Sequence, residues 1–513
     1  MVVPINLNPT IPALPRLEDK KKVNVRYMLI PPYSSVHIYW DEGINELVYE
    51  VEEPKLDEYE QDALERIEEA MLELINVNVA VDKTIEAITN YIDKTAKLLI
   101  DELNLKVRAD SYSKLFYYLF RDFIGFGEID PILRDYYIED IECNGIDTPV
   151  YVIHRTYRNL RTNISYNDLD KLASFVEKLA QRTGRYISYA QPLLDGALPD
   201  GSRVNATYTK DVTSRGPTYT IRKFTKTPWT PIQLIALNTL SPEMLAYFWL
   251  LVQYRTNILI TGGTAAGKTT LLNGIAFFIP PEARIVSIED TRELNIPREN
   301  WLPAVARTAI GIGKVGEVDL FALLRSSFRQ NPDYLIVGEV RGKEAFVLFQ
   351  GMASGHASIS TMHSDSVETL IRRLQTPPIE LSPTLVNSLD CVAIATHATV
   401  GRQGSSSRET RRVREIVEIV NVNRDGTALI NTPFIWDANN DAFYFKKQSK
   451  VFEKISARQG IPVEKLQEEL IIRAKLLYEL YKRRVFGFNE VQKVINEYYK
   501  NPAGVLNTYN IQA

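Results

Sequence analysis

The run Asn257-Ile-Leu-Ile-Thr-Gly-Gly-Thr-Ala-Ala-Gly-Lys-Thr-Thr270 leads a short apolar strand straight into a Gly-x-x-x-x-Gly-Lys-Thr loop, the pattern that cradles the phosphates of a nucleoside triphosphate. Gly262 and Gly267 reach backbone angles that turn successive N–H groups toward an anion. Gly263, Thr264, Ala265 and Ala266 complete the cradle, and Thr270 follows it. Lys268 brings a flexible point charge to the terminal phosphates, while Thr269 offers a hydroxyl to the Mg2+ that bridges them. Leu271 and Leu272 continue as a helix whose positive end faces the nucleotide. A chance glycine turn ahead of a helix is the bland alternative; strand, loop and helix in register argue against it.

Three downstream clusters suit a triphosphatase. Ile285-Val-Ser-Ile-Glu-Asp-Thr-Arg292 is an apolar strand ending in two acids, which projects both carboxylates at the carboxyl end of a sheet, on the edge that holds the phosphate loop. Glu289 is the candidate for orienting and activating water, against the alternative of an ordinary acidic loop with Asp290. Tyr334-Leu-Ile-Val-Gly-Glu339 repeats the design, and Glu339 is the candidate to hold Mg2+ through its water shell. Gly338 stands where such a strand ordinarily ends in aspartate, so the division of labour between Glu289 and Glu339 stays open. Gly355-His-Ala-Ser-Ile-Ser-Thr-Met-His-Ser364 carries two of the five histidines. Their spacing does not fit a closed zinc site. On their own, His356 and His363 read as packing or hydrogen-bonding groups.

The elements that must position these residues follow from length and periodicity. A chain of 513 residues exceeds one core and implies two or three domains. A hydrophobic content of 45% and a charged content of 24% are those of a soluble globular protein. A net charge of −4 argues against a surface built to coat nucleic acid. The two cysteines, Cys143 and Cys391, match no metal or redox spacing and suit a reduced, cytoplasmic setting. The longest apolar run, Leu245 to Val252, is core-sized rather than membrane-spanning. Residues 1–22 read as a proline-spaced mobile arm without a secretory pattern. Its Lys20, Lys21 and Lys22 offer contact to an acidic partner or anionic membrane lipid, although such runs are more often merely solvated.

Strand signals at 23–51 give way after Pro54 to helical spacing at Leu64, Ile67, Met71 and Leu74, then at Ile88, Ile92 and Leu99. A helix around Leu172 to Gln181 and a hairpin at Asp195-Gly-Ala-Leu-Pro-Asp-Gly-Ser202 complete an α+β domain over 23–224. Residues 225–234, with Pro228 and Pro231, have the composition of a linker. Beyond it, over 235–513, strands at Asn257 to Thr261, Arg284 to Ile288, Tyr334 to Val337 and Ala357 to Thr361 alternate with helices, the pattern of an α/β domain with a parallel sheet. A hairpin at Arg414 to Val422 and Thr427 to Ile430, then helices through Leu466, Leu470, Leu477 and Tyr481, close the chain from about residue 410.

The phosphate loop, Glu289-Asp290, Val337-Gly-Glu-Val-Arg341 and Gly355-His356 to His363, in this order and spacing, resemble the ATPases of type II and type IV secretion systems. Pro192-Leu-Leu-Asp-Gly-Ala-Leu-Pro-Asp-Gly-Ser-Arg-Val204 and Thr218-Tyr-Thr-Ile-Arg-Lys-Phe224 match the same family ahead of its linker. The resemblance implies a RecA-like C-terminal domain and a homo-hexameric ring with the nucleotide between N- and C-terminal domains. It also implies arginine donors from the N-terminal domain, matched by Arg203, Arg215 and Arg222, and polar roles near the γ-phosphate for His356 and His363. Arg341, Arg372 and Arg373 are weaker candidates, better read as surface residues. Bacterial pseudopilus members usually carry a tetracysteine zinc insert that this chain lacks, and Arg373-Leu-Gln-Thr-Pro-Pro-Ile and Phe434-Ile-Trp-Asp-Ala look like the archaeal branch. Within it the chain resembles the archaellum motor ATPases of the FlaI type, with archaeal pilus-assembly ATPases close behind. A polytopic membrane platform protein and other motor components are the implied partners, ATP and Mg2+ the cofactors, and the cytoplasmic face of the membrane the location. A nucleic-acid translocase or helicase is a second reading, for which basic, aromatic pore loops are expected and not found. A nucleotide switch with negligible turnover is a third; Glu289, Asp290 and Glu339 weigh against it.

Overall fold

The computed structural model describes all residues except 1–4, 8, 10, 13, 16, 18, 76–84, 225–226, 308–315, 401–407, 424 and 512–513; parts of the expected arm and linker therefore lie outside the described residues. The chain divides into two units, Met1–Phe224 and Thr225–Ala513.

The first unit is built on strands β1 (Asn24–Ile30), β2 (Ser34–Asp41), β3 (Glu46–Glu52), β4 (Ile138–Cys143), β5 (Pro149–His154), β6 (Arg158–Ser165), β7 (Leu193–Ala197), β8 (Arg203–Thr207) and β9 (Thr218–Arg222). They form one sheet in the order β1-β2-β3-β6-β5-β4-β9-β8-β7. The alternation of Val36 and Ile38 in β2 turns one face of the strand into the core, as period-two patterning requires. Asp168 caps the helix Leu169–Arg182, which lays Leu172, Val176 and Leu179 on the same core. The helices Glu58–Ile75, Ile85–Glu102 and Ala109–Leu119 bury Ile67, Met71, Ile92, Leu99 and Leu115 in a separate apolar cluster.

The described residues of the segment expected to be a mobile arm make contacts with the first unit. Ile5, Leu7, Leu14 and Leu17 pack against the core of the first unit. Tyr157 donates its hydroxyl to the Pro15 carbonyl at 3.1 Å, and Tyr137 donates to Pro12. Prolines leave no N–H to satisfy, so a segment with apolar residues between them docks at little polar cost. Lys20–Lys22 form a short turn, exposed throughout.

The second unit carries β10 (Ile258–Gly262), β11 (Ile285–Glu289), β12 (Trp301–Val305), β13 (Tyr334–Val340), β14 (Ala357–Met362), β15 (Cys391–Val400), β16 (Arg408–Val422), β17 (Ala428–Asp437) and β18 (Ala442–Phe445). The sheet runs β12-β11-β13-β14-β10-β15-β16-β17-β18. It is parallel from β12 to β15 and antiparallel from β15 to β18. Successive residues of one strand enter opposite cores. Ile258 and Ile260 join one cluster while Leu259 joins the other, and Tyr334 and Ile336 are divided from Leu335 and Val337 in the same way. A strand covered by helices on both faces is buried at nearly every position, which is why β10 and β13 carry the apolar runs Ile258 to Ile260 and Leu335 to Val337. The run Leu245 to Val252 lies in the helix Pro242–Gln253, whose Met244 to Val252 are all buried. Among the described residues no helix is long and apolar enough to cross a membrane.

The expected linker ends early. Thr230 and Gln233 form a capping box at the head of the helix Pro231–Ala236. Ile232 and Leu234 are buried in the core of the second unit, with Trp229 packed against it. Proline suits the first turn of a helix, where its missing N–H costs nothing; Pro231 starts an element rather than spacing two domains.

Candidate functional site

Parallel strands deliver their ends to one edge, and five segments meet there around the phosphate loop. Gly262 ends β10 with φ 153°, and a methyl group built on it lies 2.3 Å from the Ala395 carbonyl oxygen of β15. Only glycine lets the loop leave the strand at this point. Gly267 takes φ 91° as the N-cap of the helix Lys268–Ala276, so the residues 263–266 arch over that N-terminus. Thr264 and Ala265 are exposed, Ala266 is buried, and Thr269 and Thr270 sit half-buried in the first helical turn.

Lys268 is buried, with Nζ donating to the carbonyls of Gly262 at 3.1 Å and Gly263 at 3.0 Å and lying 3.4 Å from His363 Nε2. Burial pushes its pKa down, Glu339 pulls it back up, and Arg341 adds to the fall. His363 follows the end of β14. Its Nε2 is 3.9 Å from Glu339 Oε1; burial, then the Lys268 charge, hold its pKa below the usual imidazole value. Near neutral pH the ring is an uncharged hydrogen-bonding group.

The two acidic strand ends differ in kind. Glu289 is 1% exposed at the end of β11. Its Oε1 accepts the N–H groups of Glu293 and Leu294, each at 2.8 Å, while Oε2 is buried without a partner among the described residues. Burial raises its pKa to about 7, against the opposing pull of those two N–H groups. Glu339 is burdened by burial too, but its hydrogen bond to Arg341, at 2.6 Å, with the Arg341, Lys268 and His363 charges, brings its pKa below the ordinary carboxylate value. A carboxyl poised near neutrality suits a general base; one held ionised suits a cation.

Inside β13, Gly338 leaves no room for an aspartate side chain. A methyl group there lies 3.0 Å from Glu289 Cγ, so the Glu289 side chain rests on the bare backbone of the neighbouring strand. Gly338→Ala is expected to lower turnover by about three- to tenfold, because the added methyl obliges the Glu289 side chain to give by a few tenths of an ångström and catalytic geometry is felt on that scale, while leaving nucleotide affinity within about threefold. Comparing kcat with Kd checks it, and a variant with unchanged kcat would show that the carboxylate tolerates the shift.

Sequence reasoning separated several residues that the fold joins. Arg341 follows β13 directly and pairs with Glu339 rather than lying on a helix surface. Arg373 donates to the His363 carbonyl at 2.8 Å, and Arg414 to the Asp365 carbonyl at 2.9 Å. Asn273 ties the loop-bearing helix to the Glu289 loop, donating to the Glu293 carbonyl at 3.4 Å and accepting from the Asn295 N–H at 3.1 Å. Only the i, i+4 spacing of Thr269 and Asn273 hints at this role.

The two histidines, expected together, are parted. His356 precedes β14 and His363 follows it, so about 23 Å of strand separates them at roughly 3.3 Å per residue. His356 packs against Phe328 in a cavity of 560 Å³ with Gln350, Gly351 and Leu385. Seven residues along one strand already carried that information.

The arginine candidates lie in the first unit. Arg203 and Arg222 face each other across β8 and β9. Arg203 makes two bonds to Asp195, at 3.1 and 2.9 Å, and Arg222 meets Asp140 at 3.0 Å. Arg215 lies in the loop between those strands, its carbonyl accepting the Ile146 N–H at 3.0 Å.

Among the described residues no group of three or more His, Cys, Asp or Glu side chains is arranged to hold a metal. Mg2+ fits this site in the other way open to it, with phosphate oxygens and water as most ligands. The Thr269 hydroxyl and Glu339, whose Oε1 is buried and unbonded among the described residues, are the groups that would face it.

The family of type II/IV secretion system proteins matches residues 138–460. A protein of Methanocaldococcus jannaschii is 37% identical over 443 residues, covering 85% of this chain and 78% of its own length. The type IV secretion system protein PtlH of Bordetella pertussis is 32% identical over 273 residues, covering 47% and 80%. Among solved structures, the pilus retraction motor PilT with bound ADP is similar over 73% of this chain and 92% of its own, at 16% identity and a TM-score of 0.39. The family match runs from β4 of the first unit to the helix Lys450–Gln459 of the second, and the chain belongs to the type II/IV secretion system protein family.

Proposed function

We propose that the chain is a Mg2+-dependent ATPase motor at the cytoplasmic face of a membrane, powering assembly or rotation of an archaellum. The observation that carries the ATPase reading is the placement of Lys268, Glu289, Glu339 and His363 around one phosphate loop. Nucleotide phosphates take the backbone N–H groups of 262–270 and the Lys268 ammonium. Mg2+, when bound, neutralises charge between the terminal phosphates. Glu289 accepts a proton from the attacking water at Oε2. Glu339, paired with Arg341 in this structure, would hold the cation through its water shell, and His363 donates or accepts beside Lys268.

Arg203, Arg215 and Arg222 supply the cationic donors that a transferring phosphoryl group requires, in a homo-hexamer whose domain closure about the stretch ahead of Pro231 transmits force. A polytopic membrane protein and further motor components receive it. The archaellum assignment rests on the archaeal character of the closing segments, with pilus assembly as the close alternative. Chromosomal Lys268→Ala tests both. Loss of swimming and archaella with pili intact supports the archaellum reading; loss of pili with swimming intact transfers the protein to pilus assembly.

A further inference from the structure

The phosphate loop has two flanks. Strand order places β14, β13 and β11, with His363, Glu339 and Glu289 at their ends, on one side of β10, and β15 with β16 on the other. Gly262, the last residue of β10, pairs with Ala395, and Ala395 with Val413. Beyond this point β15 and β16 continue as a two-stranded ribbon in which Thr396 faces Arg412 and His397 faces Arg411. The ribbon is fixed at its base. Arg412 is buried with two bonds to Asp441, at 2.7 and 2.9 Å, and the Val413 N–H donates to the Thr239 carbonyl at 2.8 Å.

Arg411, one residue away, points to the opposite face of the ribbon. Its Cδ lies 3.4 Å from a methyl group built at Gly267, which puts its stem over the end of the phosphate loop. Its Nε is buried and makes no hydrogen bond among the described residues. A buried guanidinium N–H without an acceptor is costly, and a planar fork of donors beside an anion cradle matches phosphate oxygens.

We propose that Arg411 is a nucleotide-binding residue that engages the α- and β-phosphates from the flank opposite the reacting groups. Lys268, Glu339, His363 and Glu289 gather around the γ-phosphate; Arg411 holds the part of the polyphosphate that stays behind as the leaving group. The assignment rests on the phosphate-loop reading above.

The test is equilibrium binding of ATP, ADP and inorganic tripolyphosphate to the full chain, by displacement of a fluorescent ADP analogue, for Arg411→Ala, Arg411→Lys and Lys268→Ala. Arg411→Ala is expected to weaken all three ligands about ten- to hundredfold, the range for one charge-assisted hydrogen-bonding group. Arg411→Lys, which keeps the stem and charge, is expected to fall between it and the wild type, separating a lost contact from a lost fold. Unchanged affinity in Arg411→Ala with weakened Lys268→Ala overturns the Arg411 assignment alone. Unchanged affinity in both overturns the phosphate-loop reading. Weakened ATP and ADP with unchanged tripolyphosphate overturns the phosphate contact in favour of the nucleoside.

Discussion

Lys268→Ala is expected to reduce ATP hydrolysis about 10³-fold, the scale on which removing a preorganised charge from a phosphoryl-transfer site is felt. The same variant carries a second, activity-free readout. The Lys268 ammonium lies 3.4 Å from His363 Nε2 and, after burial, is the main influence lowering the His363 pKa. Removing it leaves Glu339, which raises the pKa, against burial and the lesser pull of Arg341 and Arg373, so the His363 imidazole is expected to titrate at higher pH than in the wild type. Imidazole NMR across pH 5–8 follows it directly. An unshifted His363 together with retained turnover would remove Lys268 from the site, whereas lost turnover with an unshifted ring would break only its link to His363.

Most of the candidate site's edge is legible in the sequence because strand ends announce themselves. Apolar runs halt at Gly262, Glu289 and Glu339, and a parallel sheet collects such ends on one edge. The strands that escape notice do so for physical reasons. Trp301–Val305 is an edge strand with Pro303 in it and half-exposed positions, so it lacks the apolar run of its buried neighbours. Cys391–Val400 changes character midway: its first half is buried between two cores and its second half is a ribbon with one open face, and no single period describes both.

Long-range partnerships are less legible. Arg373 reaches a backbone carbonyl ten positions earlier, and Arg414 reaches one 49 positions earlier; no spacing rule connects such pairs. The contacts of the arm's described residues are hidden for a related reason. Regular prolines suggest an extended, solvated segment, but the tyrosines that accept it lie more than a hundred residues downstream, at Tyr137 and Tyr157. Composition describes a segment's own preferences and is silent on the groove that binds it.

Glu289→Gln is expected to separate catalysis from stability, with the two moving in opposite directions. Glutamine keeps an oxygen for the Glu293 and Leu294 N–H groups but takes no proton, so turnover falls about 10²-fold or more, the usual contribution of a general base, with nucleotide affinity little changed. In the wild type, turnover is expected to rise with pH until Glu289 ionises near its pKa of about 7, and the residual turnover of the variant is expected to lack that rise. Burial lifts this carboxyl from 4.5 to about 7, so the folded chain retains a proton that the unfolded chain has released. Stability from this group is complete below the unfolded value and is lost as pH climbs through the folded one, in total on the order of 3 kcal/mol at about 1.4 kcal/mol per pH unit. A side chain that cannot ionise avoids that loss, and its buried amide costs less than a buried charge. The variant is therefore expected to match the wild type at pH 5 and to exceed its stability at pH 8, as read from denaturant unfolding at both pH values. Equal stability at pH 8 would mean that water reaches Oε2 in the folded state, and with it the case for Glu289 as a base near neutrality would fall.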